Sequence, residues 1–313
     1  MAPDLLVGLG EPDDAAVYRM DENNAMVVTV DYFPPVVDNA GDFGRIAAAN
    51  ALSDIYAMGG RPLFALNVAS LPADMPPDIA QAILLGAAEK VGEAGAVIAG
   101  GHTIDDKEPK FGLCAVGTVA ILTMMRKAGA CAGDVLFLTK ALGTGVITTA
   151  GRALAAEEAD LVSAVQSMAT LNGPAAQAAV AAGVKGATDI TGFGLLGHAG
   201  EMASGGGVRF EISWSSLPWL RGAERYAREW RFPGGAMRNA DFFANSVTFA
   251  GGAERALEEH ERLLLFAPET SGGLLLSVPA EREETLSVEL SARGVPFWRI
   301  GSVAEGKGIV IAP

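Results

Sequence analysis

The sequence predicts an α+β protein built from two domains. Its strand-like and helix-like segments are mixed irregularly, without the strict strand–helix alternation of a parallel α/β protein. The 313 residues, half of them apolar, are enough for two domains with a sizeable core. The pattern lapses between Thr123 and Gly133, so we predict an N-terminal domain over residues 1–124 and a C-terminal domain over residues 125–313.

The predicted elements follow from apolar periodicity and from the turn residues between them. Gly59–Gly60 ends the first long helix, and Pro76–Pro77 starts the second. Predicted strands cover residues 25–30, 62–71, 111–122, 134–140, 208–213, 263–266, 274–278, 296–303 and 308–312. Predicted helices cover residues 78–95, 217–230 and 281–293, and alanine-rich helical sequence precedes residue 182.

Composition excludes several classes of function. The 37 acidic residues outnumber the 23 basic ones, and no basic cluster interrupts the acidic surface, so a nucleic-acid groove is not expected. No apolar run approaches the ~20 residues that span a bilayer, and no leader pattern opens the chain; we therefore predict a cytoplasmic protein without a membrane segment. Cys114 and Cys131 are predicted to be buried free thiols.

The stretch from residue 30 to residue 60 carries the first candidate site. A predicted strand delivers Asp31 to its end, and a loop then leads into a helix that begins near Asp42. In that helix Asn50 and Asp54 share one stripe with Ile46 and small residues. A buried carboxylate is costly without a partner, so we expect a cation, a metal or a water-filled cleft opposite Asp54.

An alternative for this helix stays open at the level of the sequence. Asp54 could lie on a solvated side while Leu52, Ile55 and Tyr56 form the core face. Because the helix contains so many alanines, its 3.6-residue period does not fix which face is buried.

Acidic residues recur at the ends of predicted loops. Asp13–Asp14 follows a Gly-Glu-Pro turn, Asp31 closes a strand, and Asp105–Asp106 lies in a later loop. One such pair is usually just solvated, but the recurrence indicates an oxygen-rich site of the kind that Mg²⁺ prefers. Aspartates with Mg²⁺ can bind a nucleoside triphosphate without a basic patch, because the ion supplies the positive charge.

The Gly100–Asp106 segment follows a short apolar run. Glycines at a strand end let backbone N–H groups approach a phosphate, and Thr103 adds a hydroxyl. A tight turn with a surface histidine explains the same residues equally well.

The segment from residue 187 to residue 198 permits two interpretations. Gly192, Gly194 and Gly197 fit the spacing of a dinucleotide-binding turn, with Glu211 as its acid. We disfavour NAD because the preceding strand is very short and the earlier aspartates would have no role. In the other interpretation Asp189 is a further metal ligand and the glycines permit close helix packing. His198 is expected on a helix face rather than at a metal, since no Cys or second His stands at ligand spacing.

The order of several motifs resembles one known family across the whole chain. The motifs are PDDAAVY, DNAGDFGRIAAANALSDIYAMGGRP, AGGHTIDDKEPKFGL, ATDITGFGLLGH, FPGGAMRN and PETSGGLLLSV. They are similar to those of selenophosphate synthetases (selenide, water dikinases), in the aminoimidazole ribonucleotide synthetase superfamily. The resemblance implies two domains, a homodimer whose N-terminal domains pair in a β-barrel, and a C-terminal α/β sandwich.

The resemblance also implies a reaction and a set of site residues. The reaction is ATP + selenide + water → selenophosphate + AMP + phosphate, with Mg²⁺ as cofactor. The matching positions for the metal are Asp14, Asp54 and Asp189. The matching positions for the nucleotide are Glu11, Pro12, Asp13, Asp31, Asp54, Gly101, His102 and Thr103.

One departure from the family concerns its catalytic loop. Family members carry, ahead of the PDLLVG segment, a glycine-rich loop with a cysteine or selenocysteine and then a lysine; this sequence begins at Met1 without them. We therefore assign no catalytic residue in this chain. A truncation, a selenocysteine codon read as a stop, and a naturally short homologue each explain that start. A nucleotide-binding homologue without selenide activation, or another kinase of the superfamily, stays open as an alternative.

Overall fold

The computed structural model describes residues 3–11, 13–250 and 256–313. Within these ranges the strands form two sheets with helices packed against them, so the predicted α+β class is confirmed. One sheet uses strands that end before residue 121, and the other uses strands that begin after residue 134. The described part of the chain contains no helix long and apolar enough to cross a membrane.

The N-terminal sheet is mostly antiparallel. Its elements are β1 (Leu5–Val7), β2 (Ala16–Arg19), β3 (Asn24–Phe33), α1 (Ala40–Ala57), β4 (Arg61–Leu71), α2 (Pro77–Glu93), β5 (Val97–Asp105) and β6 (Lys110–Ala120). The strand order is β1-β2-β3-β6-β4-β5, and only the β4–β5 pair is parallel. Strand β5 therefore forms one edge of this sheet in the described residues.

The C-terminal sheet is mixed. Its elements are β7 (Val135–Leu138), α3 (Thr144–Arg152), α4 (Glu158–Ala169), α5 (Gly173–Ala181), β8 (Gly186–Asp189), α6 (Gly194–Gly206), β9 (Val208–Ser213), α7 (Ala223–Arg228), α8 (Gly234–Phe243), β10 (Val247–Phe249), α9 (Glu259–Leu264), β11 (Leu274–Val278), α10 (Glu283–Ala292), β12 (Trp298–Glu305) and β13 (Gly308–Ala312). The order is β10-β13-β9-β12-β7-β11-β8, which leaves β8 at an edge of the described sheet.

Helix α1 is buried on all sides from Ile46 to its end. The Asn39 side chain caps it by accepting a hydrogen bond from Asp42 N at 2.9 Å, and Gly59, at φ +74°, follows its end. Strands β3 and β6 pack on one side of α1, while α4, α5 and β8 approach from the C-terminal half. All residues from 46 to 57 are consequently buried.

This position decides between the two interpretations of Asp54. The side chains of Leu52 and Ile55 are fully buried, as the alternative required, yet Asp54 is only 9% exposed. The alternative that placed Asp54 on a solvated side is therefore wrong. Elements of both halves pack against α1, so the acid is buried along with the apolar residues beside it.

Helices α1 and α2 approach closely because each has a glycine at the contact. A Cβ atom on Gly44 would lie 2.0 Å from the Ile83 carbonyl oxygen, and one on Gly86 would lie 2.1 Å from that of Gly41. Both distances are far inside van der Waals contact. The close pair holds α1 firmly against the N-terminal half, and with it the position of Asp54.

The other face of the N-terminal sheet is apolar and exposed. Along β3, Ala25 and Val27 point into the core, whereas Val30 and Tyr32 are 58% and 48% exposed. The strand register aligns Val30 with Cys114 of β6, and Cys114 with the exposed Leu66 of β4. An apolar row thus crosses the sheet, and no other described part of the chain covers it.

Three details differ from the sequence-based expectations. The run 263–266, predicted as a strand, overlaps the end of helix α9; a short apolar run does not distinguish a strand from a buried helix. The helix predicted over 217–230 is confined to α7, after Gly222 at φ +85°. Both cysteines are free, but Cys131 is exposed and Cys114 is only partly buried, so the prediction of buried thiols is wrong.

Candidate functional site

Four aspartates from different elements surround one region between the two halves of the chain. Asp14 precedes β2, Asp31 lies in β3, Asp54 lies in α1, and Asp189 ends β8. The charges of Asp189, Asp31 and Asp14 all raise the pKa of Asp54, after the larger effect of its own burial. Carboxylates distant in sequence are therefore electrostatic neighbours in the fold.

Asp14 has one oxygen bonded and one oxygen free. Its Oδ1 accepts a hydrogen bond from Thr188 Oγ1 at 2.9 Å and lies 3.0 Å from Lys127 Nζ. Its Oδ2 is buried without a hydrogen-bond partner in the described structure, and its side chain is only 3% exposed. A buried unpaired carboxylate oxygen is costly, so this atom is available for a cation.

Asp189 and Asp54 repeat parts of this pattern. Asp189 is 1% exposed, and its Oδ2 has no hydrogen-bond partner in the described structure. Asp54 Oδ2 accepts a hydrogen bond from Thr29 Oγ1 at 2.5 Å. Hydroxyl groups of the surrounding strands thus hold particular oxygens of the carboxylates.

Burial dominates the electrostatics of all four carboxylates. It raises the pKa of Asp14, Asp54 and Asp189, and the charge of Asp189 raises the pKa of Asp14 and Asp54 further. Burial and the charge of Asp189 also raise the pKa of Asp31 to about 6, against a lowering effect of the hydrogen bond from Asn50. Ionised carboxylates repel one another in a region with little solvent, and a bound cation would offset that repulsion. The arrangement therefore indicates a ligand that carries positive charge.

The four aspartates supply suitable ligands for a hard divalent cation, but they form only part of its coordination sphere. Carboxylate oxygens are the ligands that Mg²⁺ prefers, and two of those present are buried and free. Nevertheless, among residues 3–11, 13–250 and 256–313 no three His, Cys, Asp or Glu side chains are grouped so that they could hold a metal ion by themselves. Mg²⁺ usually keeps waters and shares substrate phosphates, so a nucleotide would complete such a site.

The acidic turn before Asp14 is held by the segment that joins the two halves. Arg126 Nε lies 3.3 Å from Asp13 Oδ2, and its Nη2 lies 3.3 Å from Glu11 Oε2. The backbone N–H of Lys127 donates to Asp13 as well. The Asp13 side chain is 1% exposed and that of Glu11 is 78% exposed. Pro12 lies outside the described residues.

Gly101, His102 and Thr103 are not brought to the acids within one chain. They lie in strand β5 rather than in the loop predicted from the sequence, and all three are exposed. The register aligns Asp31 with Leu113, Leu113 with Asn67, and Asn67 with Gly101. Three strand spacings, roughly 14 Å, therefore separate Gly101 from Asp31.

Two cavities meet at the acidic turn. One, of about 390 Å³, opens on the exposed face of the N-terminal sheet beside Asp13, Asp14 and Thr29. The other, of about 760 Å³, lies on the C-terminal side against Asp13, Lys127 and Phe242. Asp13 lines both, so the turn is accessible from two directions.

A loop of the C-terminal half reaches the same region through Asn50. Asn50 Nδ2 donates to Asp31 Oδ2 at 2.7 Å, and its Oδ1 accepts from Ser271 N at 2.9 Å. Ser271 adopts φ +48°, and its carbonyl accepts from the buried Lys140 Nζ at 2.8 Å. Burial lowers the pKa of Lys140 to about 7. The conformation of this loop is thus tied to the orientation of Asp31.

His198 is a buried residue of α6 outside the acid set. Its Nε2 lies 3.1 Å from Thr191 Oγ1 and accepts from Phe193 N. Burial lowers its pKa to about 3, so it is neutral at physiological pH. These contacts agree with the expectation of a helix-face residue.

The structure argues against the dinucleotide interpretation of residues 192–197. Strand β8 pairs antiparallel with β11, whereas a dinucleotide turn joins parallel strands. A Cβ atom on Gly194 would lie 2.7 Å from the Ala267 carbonyl oxygen, and one on Gly197 would lie 2.5 Å from Phe193 Cβ. The glycines therefore permit close packing.

Lys127 and Thr188 were not identified from the sequence. Lys127 is one of two adjacent basic residues at the expected domain boundary, and in an acidic chain that signal was available. Thr188 has no such signal, because its role depends on a contact with Asp14 across 174 residues.

Comparison with known proteins gives two family matches and close relatives. Residues 12–119 match the AIR synthase related protein N-terminal domain, and residues 132–312 match the C-terminal domain of the same name. The selenide, water dikinase of Carboxydothermus hydrogenoformans is 46% identical over 99% of this chain and 89% of that protein. That of Caldanaerobacter subterraneus is 49% identical over 92% of this chain and 82% of that protein.

Solved structures with the same fold are more distant in sequence. Thiamine-monophosphate kinase from Stenotrophomonas maltophilia superposes with a TM-score of 0.73 at 23% identity, covering 99% of this chain and 92% of that one. Hydrogenase maturation protein HypE in complex with ATP gives a TM-score of 0.69 at 18% identity, covering 99% and 86%. At these identities the likeness shows the two-domain fold.

Proposed function

The chain belongs to the selenide, water dikinases of the AIR synthase related family, and we propose that it makes selenophosphate from ATP, selenide and water, releasing AMP and phosphate. The observation that carries the proposal, beyond the family, is the convergence of Asp14, Asp54 and Asp189. These buried carboxylates come from both halves of the chain, and two of them keep an unpartnered oxygen. Such an arrangement suits a polyphosphate that is bound together with divalent cations.

The residues that would hold Mg²⁺ are Asp14, Asp54 and Asp189. When bound, Mg²⁺ would neutralise the triphosphate and the charge that develops during phosphoryl transfer. The residues of the chain orient the ligands: Thr188 and Lys127 hold Asp14 Oδ1, and Thr29 holds Asp54 Oδ2. This division leaves Asp14 Oδ2 and Asp189 Oδ2 free for the ion.

We propose that ATP lies where the two halves meet, beside the acidic turn whose Asp13 lines a cavity on either side. Glu11, Pro12, Asp13, Asp31 and Asp54 are the proposed contacts from one chain. HypE, whose fold is shared, is solved in complex with ATP. The edge strand β5 offers Gly101, where a Cβ atom would lie 2.4 Å from the Asn67 carbonyl oxygen, so only backbone fits there.

We propose a homodimer in which a second copy covers the apolar sheet face. Val30, Tyr32 and Leu66 are exposed on that face, and β5 presents an unpaired edge in the described residues. Burying such a face is favourable at about 25 cal/mol per Å². A partner chain also resolves the separation of Gly101–Thr103 from Asp31, because the β5 residues of one copy can approach the acids of the other.

The domain division at residues 124 and 125 and the cytoplasmic location stay proposals. They rest on the composition and patterning of the sequence.

The deciding experiment measures AMP formation by the purified full chain with ATP and Mg²⁺, with and without selenide. We expect AMP and selenophosphate only when selenide is present. ATP binding without selenide-dependent AMP would contradict the proposal and support the alternative, a nucleotide-binding homologue. ³¹P magnetic resonance distinguishes selenophosphate from phosphate in the same samples.

A further inference from the structure

Two threonine hydroxyls from different sheets contact carboxylates of the acid site, the region surrounded by Asp14, Asp31, Asp54 and Asp189. Thr188 lies in β8 and is fully buried, and its Oγ1 is 2.9 Å from Asp14 Oδ1. Its Oγ1 is also 3.3 Å from the Asp189 carbonyl oxygen, a longer contact. Thr29 lies in β3, and its Oγ1 is 2.5 Å from Asp54 Oδ2.

The hydrogen bonds distinguish the two oxygens of Asp14. A carboxylate can rotate and present either oxygen to a ligand. Here Oδ1 accepts a hydrogen bond from Thr188 and lies beside the Lys127 ammonium group, whereas Oδ2 is buried and has no hydrogen-bond partner among the described residues. A fixed carboxylate loses less conformational freedom when a cation binds, which is how partners of metal ligands raise affinity.

Thr188 links the two halves of the molecule. Asp14 belongs to the N-terminal half, whereas Thr188 and the neighbouring Asp189 end strand β8 of the C-terminal half. Strand β8 is held in turn by the joining segment, because Arg126 N donates to the Lys185 carbonyl at 2.8 Å. One strand therefore contributes an acid of its own and orients an acid of the other half.

We propose that Thr188 and Thr29 are positioning residues of the metal site, which present one oxygen each of Asp14 and Asp54 to a divalent cation. The inference rests on the proposed Mg²⁺ site. The role depends on the hydrogen bond that each threonine hydroxyl donates and not on the space that the side chain fills. A valine at either position would fill the same space but could not donate a hydrogen bond.

The test measures Mn²⁺ binding to the full chain by electron paramagnetic resonance of the free ion, with and without a non-hydrolysable ATP analogue. Thr188→Val is expected to raise the Kd for Mn²⁺ by about 10- to 100-fold, and Thr188→Ser to stay within about threefold of the wild type. Thr29→Val should also raise the Kd for Mn²⁺, and this variant tests the proposal if Thr188→Val does not fold.

Thr148→Val is the matched control. Thr148 is also a buried threonine, but its hydroxyl bonds only helix carbonyls of α3, so Mn²⁺ binding should not change. Equal binding by the wild type and Thr188→Val, or equal losses in Thr188→Val and Thr148→Val, would overturn the positioning role. Absence of Mn²⁺ binding by the wild type would instead overturn the metal site itself, so the two failures are distinguishable.

Discussion

Lys127 Nζ lies 3.0 Å from Asp14 Oδ1 and 2.8 Å from Glu201 Oε2, so one ammonium group serves two carboxylates from opposite halves of the molecule. Burial alone would lower the pKa of Lys127, but the charges of Asp14 and Glu201 raise it, and the side chain stays charged. The contact stabilises the packing of the two halves against each other beside the acid site.

Removing this ammonium group should destabilise the protein. Lys127→Met leaves Asp14 buried without its cation, and we expect a loss of about 3 kcal/mol in the free energy of unfolding. Urea titration measures the loss. Lys90→Met is the matched control: its side chain is also 12% exposed, but it pairs with the half-exposed Glu93. We expect the control to lose less than about 1 kcal/mol. Similar losses in both variants would contradict the special status of the Lys127 contact.

Asp189 should be required for activity although it lowers the stability of the metal-free protein. Burial raises its pKa, and its charge disfavours the ionised forms of Asp54 and Asp31. Asp189→Asn should therefore stabilise the metal-free protein by about 1 kcal/mol. Selenide-dependent AMP formation should fall on the order of 100-fold, because the amide is a poorer ligand for a hard cation.

Asp134→Asn provides the contrast for that result. Asp134 is also buried, but its Oδ2 accepts hydrogen bonds from Ser277 Oγ at 2.7 Å and from Cys131 N at 3.1 Å. Its replacement should therefore destabilise the protein by about 1–2 kcal/mol. A loss of stability in Asp189→Asn comparable to that in Asp134→Asn would show that Asp189 is a structural acid.

Glu269 should give a measurable pH dependence of stability. Its carboxylate caps α3 by accepting from Gly143 N and Thr144 N, and burial raises its pKa from 4.5 to about 7. Between these values the folded protein retains a proton that the unfolded chain has released. The stabilisation is full below pH 4.5 and is lost as the pH rises through about 7.

Glu269→Gln removes this titration, so the decline in unfolding free energy between pH 4.5 and pH 7 should be shallower than in the wild type. Urea titrations across that interval measure the slope. Glu305→Gln, at an exposed position of β12, controls for the loss of a carboxylate elsewhere. An unchanged slope in Glu269→Gln would mean that Glu269 is ionised throughout.

The sequence predicted the fold class and grouped the acids in one oxygen-rich site, but it did not predict which elements bury them. Asp54 could be placed on an apolar stripe, because helical spacing is a local property. That α1 is buried on both sides depends on α4, α5 and β8, which no local pattern reveals. Thr188 and Ser271 were missed for the same reason, since their partners Asp14 and Asn50 are remote in the sequence.

Local patterns do not decide between two structures that share one pattern. The apolar run 263–266 fits a strand and a buried helix end equally, and only tertiary packing selects the helix. The glycines from 192 to 197 likewise fit a dinucleotide turn and a close helix contact, and the antiparallel pairing of β8 selects the second.

The exposed sheet face leads to the last prediction. Val30→Asp places a charge at the β3 end of the apolar row that Val30 forms with Cys114 and Leu66, which the proposed second copy would bury. A carboxylate buried without a partner costs several kcal/mol, so we expect this variant to be monomeric by light scattering where the wild type is dimeric. AMP formation should be lost with the dimer, because the β5 residues of the partner would no longer reach the acids.

Val288→Asp is the matched control, since Val288 on α10 is 61% exposed against 58% for Val30 and lies on the other half of the molecule. Dimers of Val30→Asp as stable as those of Val288→Asp would move the interface elsewhere, and a wild type that is monomeric at micromolar concentration would remove the dimer from the proposal.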